Sequence, residues 1–158
     1  ADALIDKSGD TGGVAGEMVD KVLGVLKAVQ SEASLGLLRR VEDAAFATAF
    51  DDFLDHAQVF HKAGAVRESA VLVSVVLEDA IKRICLAQGV VPGSMSLESL
   101  IDELVKADVF TGIKAKRVKG YAAVRNAALH AKWDELDLRE VGQTISGVRA
   151  LLDEFLGG

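Results

Sequence analysis

The chain contains few proline, cysteine or aromatic residues. Its 158 residues include one proline and one cysteine, and Phe, Trp and Tyr together make up 5%. Scarce proline and few strong turn pairs argue against a meander of short strands, so the composition favours helices packed through Ala, Val, Leu and Ile. Cys85 has no partner for an intramolecular disulfide. This fits a reducing compartment and predicts that the thiol is a small buried hydrophobe.

Long apolar runs and secretion signals are also missing. The longest apolar stretch, near Ala70–Leu77, is interrupted by Ser74 and is far too short to cross a bilayer. The N-terminus lacks the cationic start and apolar centre of a secretory signal. We therefore predict a cytoplasmic protein that makes no membrane contact.

Familiar cofactor and catalytic signatures are absent as well. The sequence has no Gly-x-Gly-x-x-Gly, no P-loop and no Gly-x-Ser-x-Gly. His56 and His61 are five residues apart rather than the four that place two metal ligands on one helix face, and no cysteine or carboxylate pattern completes a site. The sequence thus predicts no metal and no cofactor.

Apolar periodicity and capping residues divide the chain into helices. We expect a flexible segment over residues 1–13, N-terminal helices over 14–50 with a start at Ser31, and a helical bundle over 51–158. The bundle's predicted helices are a strongly apolar central one over about 66–88, a short one over 97–105 capped by Ser96, a basic one over 113–132, and a last one opened by Asp137 and Glu140. The predicted fold is an all-α bundle of antiparallel helices with an added N-terminal helical segment.

The basic helix is the most informative segment. Residues 113–132 contain six Lys and Arg residues and no Asp or Glu. The whole chain has a net charge of -6, so the remainder carries about -12. A local cation cluster in an acidic protein indicates a surface for phosphate. The predicted RNA- or phosphate-binding residues are Lys114, Lys116, Arg117, Lys119, Lys132 and Tyr121.

Within this helix, Arg125, Asn126 and His130 stand out against an alanine-rich background. At about 100° per residue, Arg125 falls inside the apolar stripe and Asn126 lies between it and His130. A core-facing guanidinium stays charged, so it needs a carboxylate, carbonyl oxygens or an anionic ligand. The simpler interpretation is an internal ion pair with Glu78 or Asp79 of the central helix, with His130 placed favourably at a helix end.

The stretch Arg125-Asn126-x-x-x-His130, late in an all-α chain, resembles the R-x4-6-H motif of the HEPN superfamily. The apolar stretch over 70–81 with its Leu-Glu step, and the short helix before the motif, follow in that family's order. The similarity covers about residues 53–157. It implies a HEPN-like bundle that usually dimerises, with the motif helices of two subunits facing each other across a shared cleft.

Many HEPN proteins are metal-independent endoribonucleases of toxin–antitoxin, phage-defence or RNA-processing systems. For this chain the resemblance implies catalytic roles for Arg125, His130 and Asn126, RNA as the substrate, and an antitoxin or a nucleotidyltransferase as a partner. The alternative is a non-catalytic HEPN-like module that binds a nucleotide, RNA or a protein. A third hypothesis is an antitoxin-like or scaffold bundle that acts through its apolar helix faces.

Overall fold

The computed structural model describes the backbone of residues 11–157 and the side chains of residues 16–157. Within that range every regular element is helical. The elements, in chain order, are α1 Thr11–Lys62, α2 Val66–Ala87, α3 Leu97–Lys106, α4 Gly112–Leu129, a single 3₁₀ turn Trp133–Glu135, and α5 Leu138–Phe155. The predicted all-α class is confirmed. None of the described helices is both long and apolar enough to cross a membrane.

The N-terminal region differs from the expected series of helices, because α1 runs without interruption from Thr11 to Lys62. Ser31 lies inside this helix rather than at a cap, and Thr11–Gly13, expected to be flexible, form its first residues. Residues 1–10 of the segment expected to be flexible lie outside the described range. A serine is tolerated in a helix interior, and no proline interrupts the segment.

The chain divides into two compact units, Ala1–Glu42 and Asp43–Gly158. In the first unit, every side chain from residue 16 to residue 42 is exposed to solvent. Met18, Val22, Val25 and Val29 recur at intervals of three and four residues, the spacing of one face of a helix. Residues 16–42 thus form a solvated helical segment with an apolar face from Met18 to Val29.

The second unit has its own core, with α2 at its centre. Helix α2 contacts α3, α4 and α5, and it buries residues on most sides, as expected for a central helix. Phe50, Leu54 and Ala57 add the C-terminal part of α1 to the same core. Burial of the Cys85 side chain raises the pKa of its thiol to about 11, which confirms the predicted small buried hydrophobe.

Local capping fixes where the shorter helices begin. The side chain of Ser96 accepts a hydrogen bond from the Ser99 backbone N–H, 3.1 Å away, at the start of α3. At the start of α5 the Asp137 carboxylate accepts from the Glu140 backbone N–H at 3.0 Å, which is one of the two bonds of the predicted capping box. Both starts agree with the sequence-based boundaries.

Candidate functional site

Helix α4 carries the motif residues, and its ends determine where they lie. Thr111 caps the N-terminus by accepting from the Lys114 backbone N–H at 3.2 Å. The helix stops at Leu129 because Ala131 adopts a left-handed conformation with φ of 52°. The Lys132 N–H then bonds back to the Ala127 carbonyl at 2.9 Å, a Schellman-type end. Arg125 and Asn126 are therefore helical, whereas His130 is the C-cap.

Arg125 is half-buried and paired with Glu78 of α2. Its Nε and Nη2 atoms donate to Glu78 Oε2 at 3.1 and 2.7 Å, and its Nη1 donates to Asn126 Oδ1 at 3.0 Å. Glu78 is one of the two carboxylates that the sequence predicts as partners of Arg125. Within residues 16–157, the other one, Asp79, makes no side-chain hydrogen bond or ion pair.

Glu78 is kept ionised by two cations. A hydrogen bond from Lys82 Nζ at 2.8 Å, followed by those from Arg125, lowers the pKa of the Glu78 carboxyl below its ordinary value of 4.5. The carboxylate therefore compensates the guanidinium charge at neutral pH. A guanidinium has five N–H donors and Arg125 uses three of them here, so two remain for a ligand.

Asn126 extends this polar network to α3. Its Nδ2 donates to Glu98 Oε1 at 2.8 Å while its Oδ1 accepts from Arg125. Glu78, Arg125, Asn126 and Glu98 together line a cavity of about 290 Å³ bordered by the loop that contains Gly93. Asn126 thus joins α4 to α3 directly and to α2 through Arg125.

A second cavity, of about 230 Å³, lies between α2 and α4 and is mainly apolar. Arg125 and Glu78 are its charged lining residues. Val71, Val75 and Leu129 also line it, and they are 43%, 49% and 61% exposed. We name this cavity with its exposed apolar rim the α2/α4 groove. It presents a fixed ion pair, Arg125 with Glu78, within a solvent-exposed apolar surface.

His130 does not line either cavity that contains Arg125. Its backbone N–H donates to the Asn126 carbonyl at 3.1 Å, and its ring is exposed. Across the side chains that the structure describes, the imidazole makes no hydrogen bond and no ion pair. The motif's arginine and histidine are therefore not brought into one cavity by a single chain.

Three of the lysines predicted to bind phosphate contact carboxylates of this chain instead. Lys119 pairs with Asp102 at 2.6 Å and Lys132 with Glu135 at 3.4 Å. Lys114 pairs with Glu154. Because of these ion pairs, fewer of the predicted lysines are available to bind phosphate.

The other three predicted phosphate-binding residues are placed differently. Lys116 and Arg117 are exposed and make no ion pair with any residue of the described range. Tyr121 is half-buried. This leaves part of the cationic surface of α4 open to a ligand.

A further groove contains two residues, His61 and Arg139, that the sequence does not predict as ligand-binding residues. His61 of α1 and Arg139 of α5 join Arg117 and Tyr121 of α4 around an open groove of about 820 Å³. We name it the α1/α4/α5 groove. The sequence feature that could have indicated this groove is a pair of glycines inside α5, Gly142 and Gly147. A glycine in a helix interior often marks a close approach of another group.

The tyrosine ring lies directly against α5 at Gly147, because a Cβ atom built there would overlap the Tyr121 ring and hydroxyl. We expect Gly147→Ala to lower the free energy of unfolding by about 1–3 kcal/mol, although alanine is the better helix former by about 1 kcal/mol. In a Tyr121→Ala background the same change should become stabilising. Urea unfolding of the four proteins measures this cycle.

The matched control for Gly147→Ala is Gly120→Ala in α4, where an added Cβ meets nothing within 4 Å. It should stabilise the protein by up to about 1 kcal/mol. Stabilisation by Gly147→Ala in the presence of Tyr121 would contradict the close packing of this ring on α5.

Within residues 11–157 no group of three or more His, Cys, Asp or Glu side chains is arranged to hold a metal ion. The chain matches no family model, no curated protein and no solved structure.

Proposed function

We propose that this chain is a HEPN-like, metal-independent endoribonuclease whose active site forms when the α4 helices of two copies come together. One observation carries the proposal. Arg125 is held by Glu78 and Asn126, keeps two N–H donors unused, and lines an apolar groove that is open to solvent. A guanidinium fixed in this way is preorganised to bind a phosphate oxygen.

The apolar rim of the α2/α4 groove supports the dimer. Val71, Val75 and Leu129 are large, exposed and contiguous with Arg125. A second copy packed on this face by two-fold symmetry would cover these side chains and bring two Arg125/His130 pairs to one interface. This arrangement supplies the histidine that a single chain does not place beside the arginine.

The residues fit cleavage of RNA by its own 2′-hydroxyl. In that reaction the 2′-oxygen attacks phosphorus, the bond to the 5′-oxygen breaks, and the products are a 2′,3′-cyclic phosphate and a 5′-hydroxyl. One group accepts the 2′-hydroxyl proton and another protonates the leaving oxygen. His130 takes one of these roles, Arg125 stabilises the charge that develops on phosphorus-bound oxygens, and Asn126 orients Arg125 through their hydrogen bond.

The test is cleavage of a fluorescent single-stranded RNA in EDTA by the wild type and by the double variant Arg125→Ala/His130→Ala. We expect cyclic-phosphate products from the wild type only, with a specific activity that rises with protein concentration through the dimerisation range. Equal cleavage by both proteins would assign the activity to another site or to a contaminant.

The ion pair itself favours a second candidate function, a non-catalytic HEPN-like module that binds RNA or a nucleotide. Glu78 already neutralises Arg125, so the arginine has a structural role without any substrate. This candidate predicts RNA binding with steep salt dependence and no product in the same assay.

A further inference from the structure

The α1/α4/α5 groove differs from the rest of this acidic molecule in the charge of its lining. The chain has 24 Asp and Glu residues, yet the groove is lined by none of them. Its polar and aromatic side chains include Gln58, His61, Arg117, Tyr121, Arg139 and Gln143. A net-negative protein that keeps carboxylates out of one large groove presents a local site for an anion.

The two arginines of this groove are available for a ligand. Within the described part of the chain, Arg117 and Arg139 make no ion pair with a carboxylate, and both are exposed. In contrast, Arg83, Arg125 and Arg149 each pair with an Asp or Glu at 2.7 to 3.5 Å. Unpaired guanidiniums from two separate helices provide forked donors that match phosphate oxygens.

The groove is also a built feature of the fold. The His61 ring is fixed because its Nε2–H donates to the Leu138 carbonyl at 2.8 Å. The ring lies over Gly142, where an added Cβ would be 2.6 Å from Nε2. Tyr121 lies over Gly147 in the same way. Two helix-interior glycines therefore admit two rings from other helices, which places both rings against α5 in the lining of the groove.

We propose that the α1/α4/α5 groove binds a phosphate-bearing nucleotide, with Arg117 and Arg139 as the phosphate contacts. Its volume of about 820 Å³ lies within the range of small-ligand sites, about 300–1,000 Å³, and exceeds what a lone phosphate needs. Tyr121 provides an aromatic surface for a base, and the Gln58 and Gln143 amides can donate to or accept from a sugar or base edge. No lining residue is shared with the α2/α4 groove, so this site is independent of Arg125 and His130.

The experiment measures binding of a fluorescein-labelled 2′-O-methyl oligouridine of twelve nucleotides, which its own 2′-oxygen cannot cleave. Fluorescence anisotropy compares the wild type, Arg117→Gln/Arg139→Gln and the control Lys116→Gln. Lys116 is an exposed, unpaired cation of the same helix that does not line the groove.

We expect the double variant to bind at least tenfold more weakly and the control less than threefold more weakly. Loss of two phosphate contacts should also reduce the slope of log affinity against log salt by about 1.4, since each contact to a single strand contributes about 0.7. A double-variant effect no larger than the square of the Lys116→Gln effect would mean diffuse charge attraction, since the double variant removes two charges and the control one, and would overturn the proposal. Absence of binding by the wild type would overturn it as well.

Competition with AMP distinguishes two sources of the phosphate, a free nucleotide and an RNA strand. Displacement of the oligonucleotide by AMP, lost in Arg117→Gln/Arg139→Gln, identifies a free nucleotide as a sufficient ligand. If AMP does not displace the oligonucleotide, and oligonucleotide binding is again lost in that variant, the ligand is an RNA strand. The Arg117→Gln/Arg139→Gln loss is measured as binding and the Arg125→Ala/His130→Ala loss as cleavage, so failure of this proposal and failure of the nuclease proposal give different results.

Discussion

His130→Ala should lower the rate of RNA cleavage by about 10²–10⁴-fold and leave the midpoint of thermal unfolding unchanged. The factor is that of losing a general acid or base. Stability should not change because the His130 ring is exposed and the residue's contact within the fold is its backbone N–H bond to the Asn126 carbonyl, which alanine retains. Single-turnover cleavage and thermal melting measure the two quantities on the same samples.

The matched control for this prediction is His56→Ala, which removes a different exposed histidine, located in α1. It should change neither cleavage nor melting. A loss of activity shared by both variants would indicate a general effect of removing an imidazole. A large drop in melting temperature for His130→Ala alone would give the residue a structural role at the end of α4 and argue against catalysis.

Local features of the sequence predicted the bundle helices well. Ser96 and Asp137 define helix starts because a capping side chain bonds to an N–H only three residues away, which requires no knowledge of the rest of the fold. The apolar spacing of α3 and α5 is equally local. The all-α class and the central position of α2 follow from the same kind of pattern.

The helix boundaries of the N-terminal region are harder to predict, because a residue that can cap a helix can also lie inside one. Ser31 is compatible with a helix start, yet it is equally tolerated within α1, where nothing forces a break. A serine predicts a boundary only when the apolar pattern on either side also stops, and here it continues.

Apart from Arg125, whose expected partners included Glu78, charge pairing over long separations was not predicted from the sequence. Lys119 and Lys114 are cations in an acid-free segment, but Asp102 and Glu154 reach them from other helices. Conversely, Arg139 lies in an ordinary helical first turn, and only the tertiary fold places it near Arg117. Net charge along a segment therefore overestimates the cations that a ligand can reach.

Arg125→Ala is expected to reduce both stability and activity, whereas Glu78→Gln should reduce stability alone. Removing the guanidinium leaves Glu78 with Lys82 as its remaining cation and Asn126 Oδ1 without its donor. The Arg125 and Glu78 side chains are 19% and 31% exposed, so the cost should lie between those of surface and buried pairs, about 1–3 kcal/mol in free energy of unfolding. Loss of the phosphate contact should also lower cleavage by about 10²-fold or more.

Glu78→Gln keeps Arg125 in the molecule and retains an amide oxygen that can accept from the guanidinium, while it removes the charge that neutralises it. Cleavage should therefore stay within a few-fold of the wild type. The pKa of Glu78 is lowered in the folded state, first by Lys82 and then by Arg125. Its stabilising contribution is therefore complete above the unfolded-state value, about 4.5, and is lost as pH falls through the folded-state pKa. The difference in unfolding free energy between wild type and Glu78→Gln should accordingly be largest near pH 7 and shrink below pH 4.5. If Arg125→Ala lost stability with this pH dependence but cleaved RNA at the wild-type rate, the arginine would be a structural ion-pair member and the α2/α4 groove would not be the nuclease site.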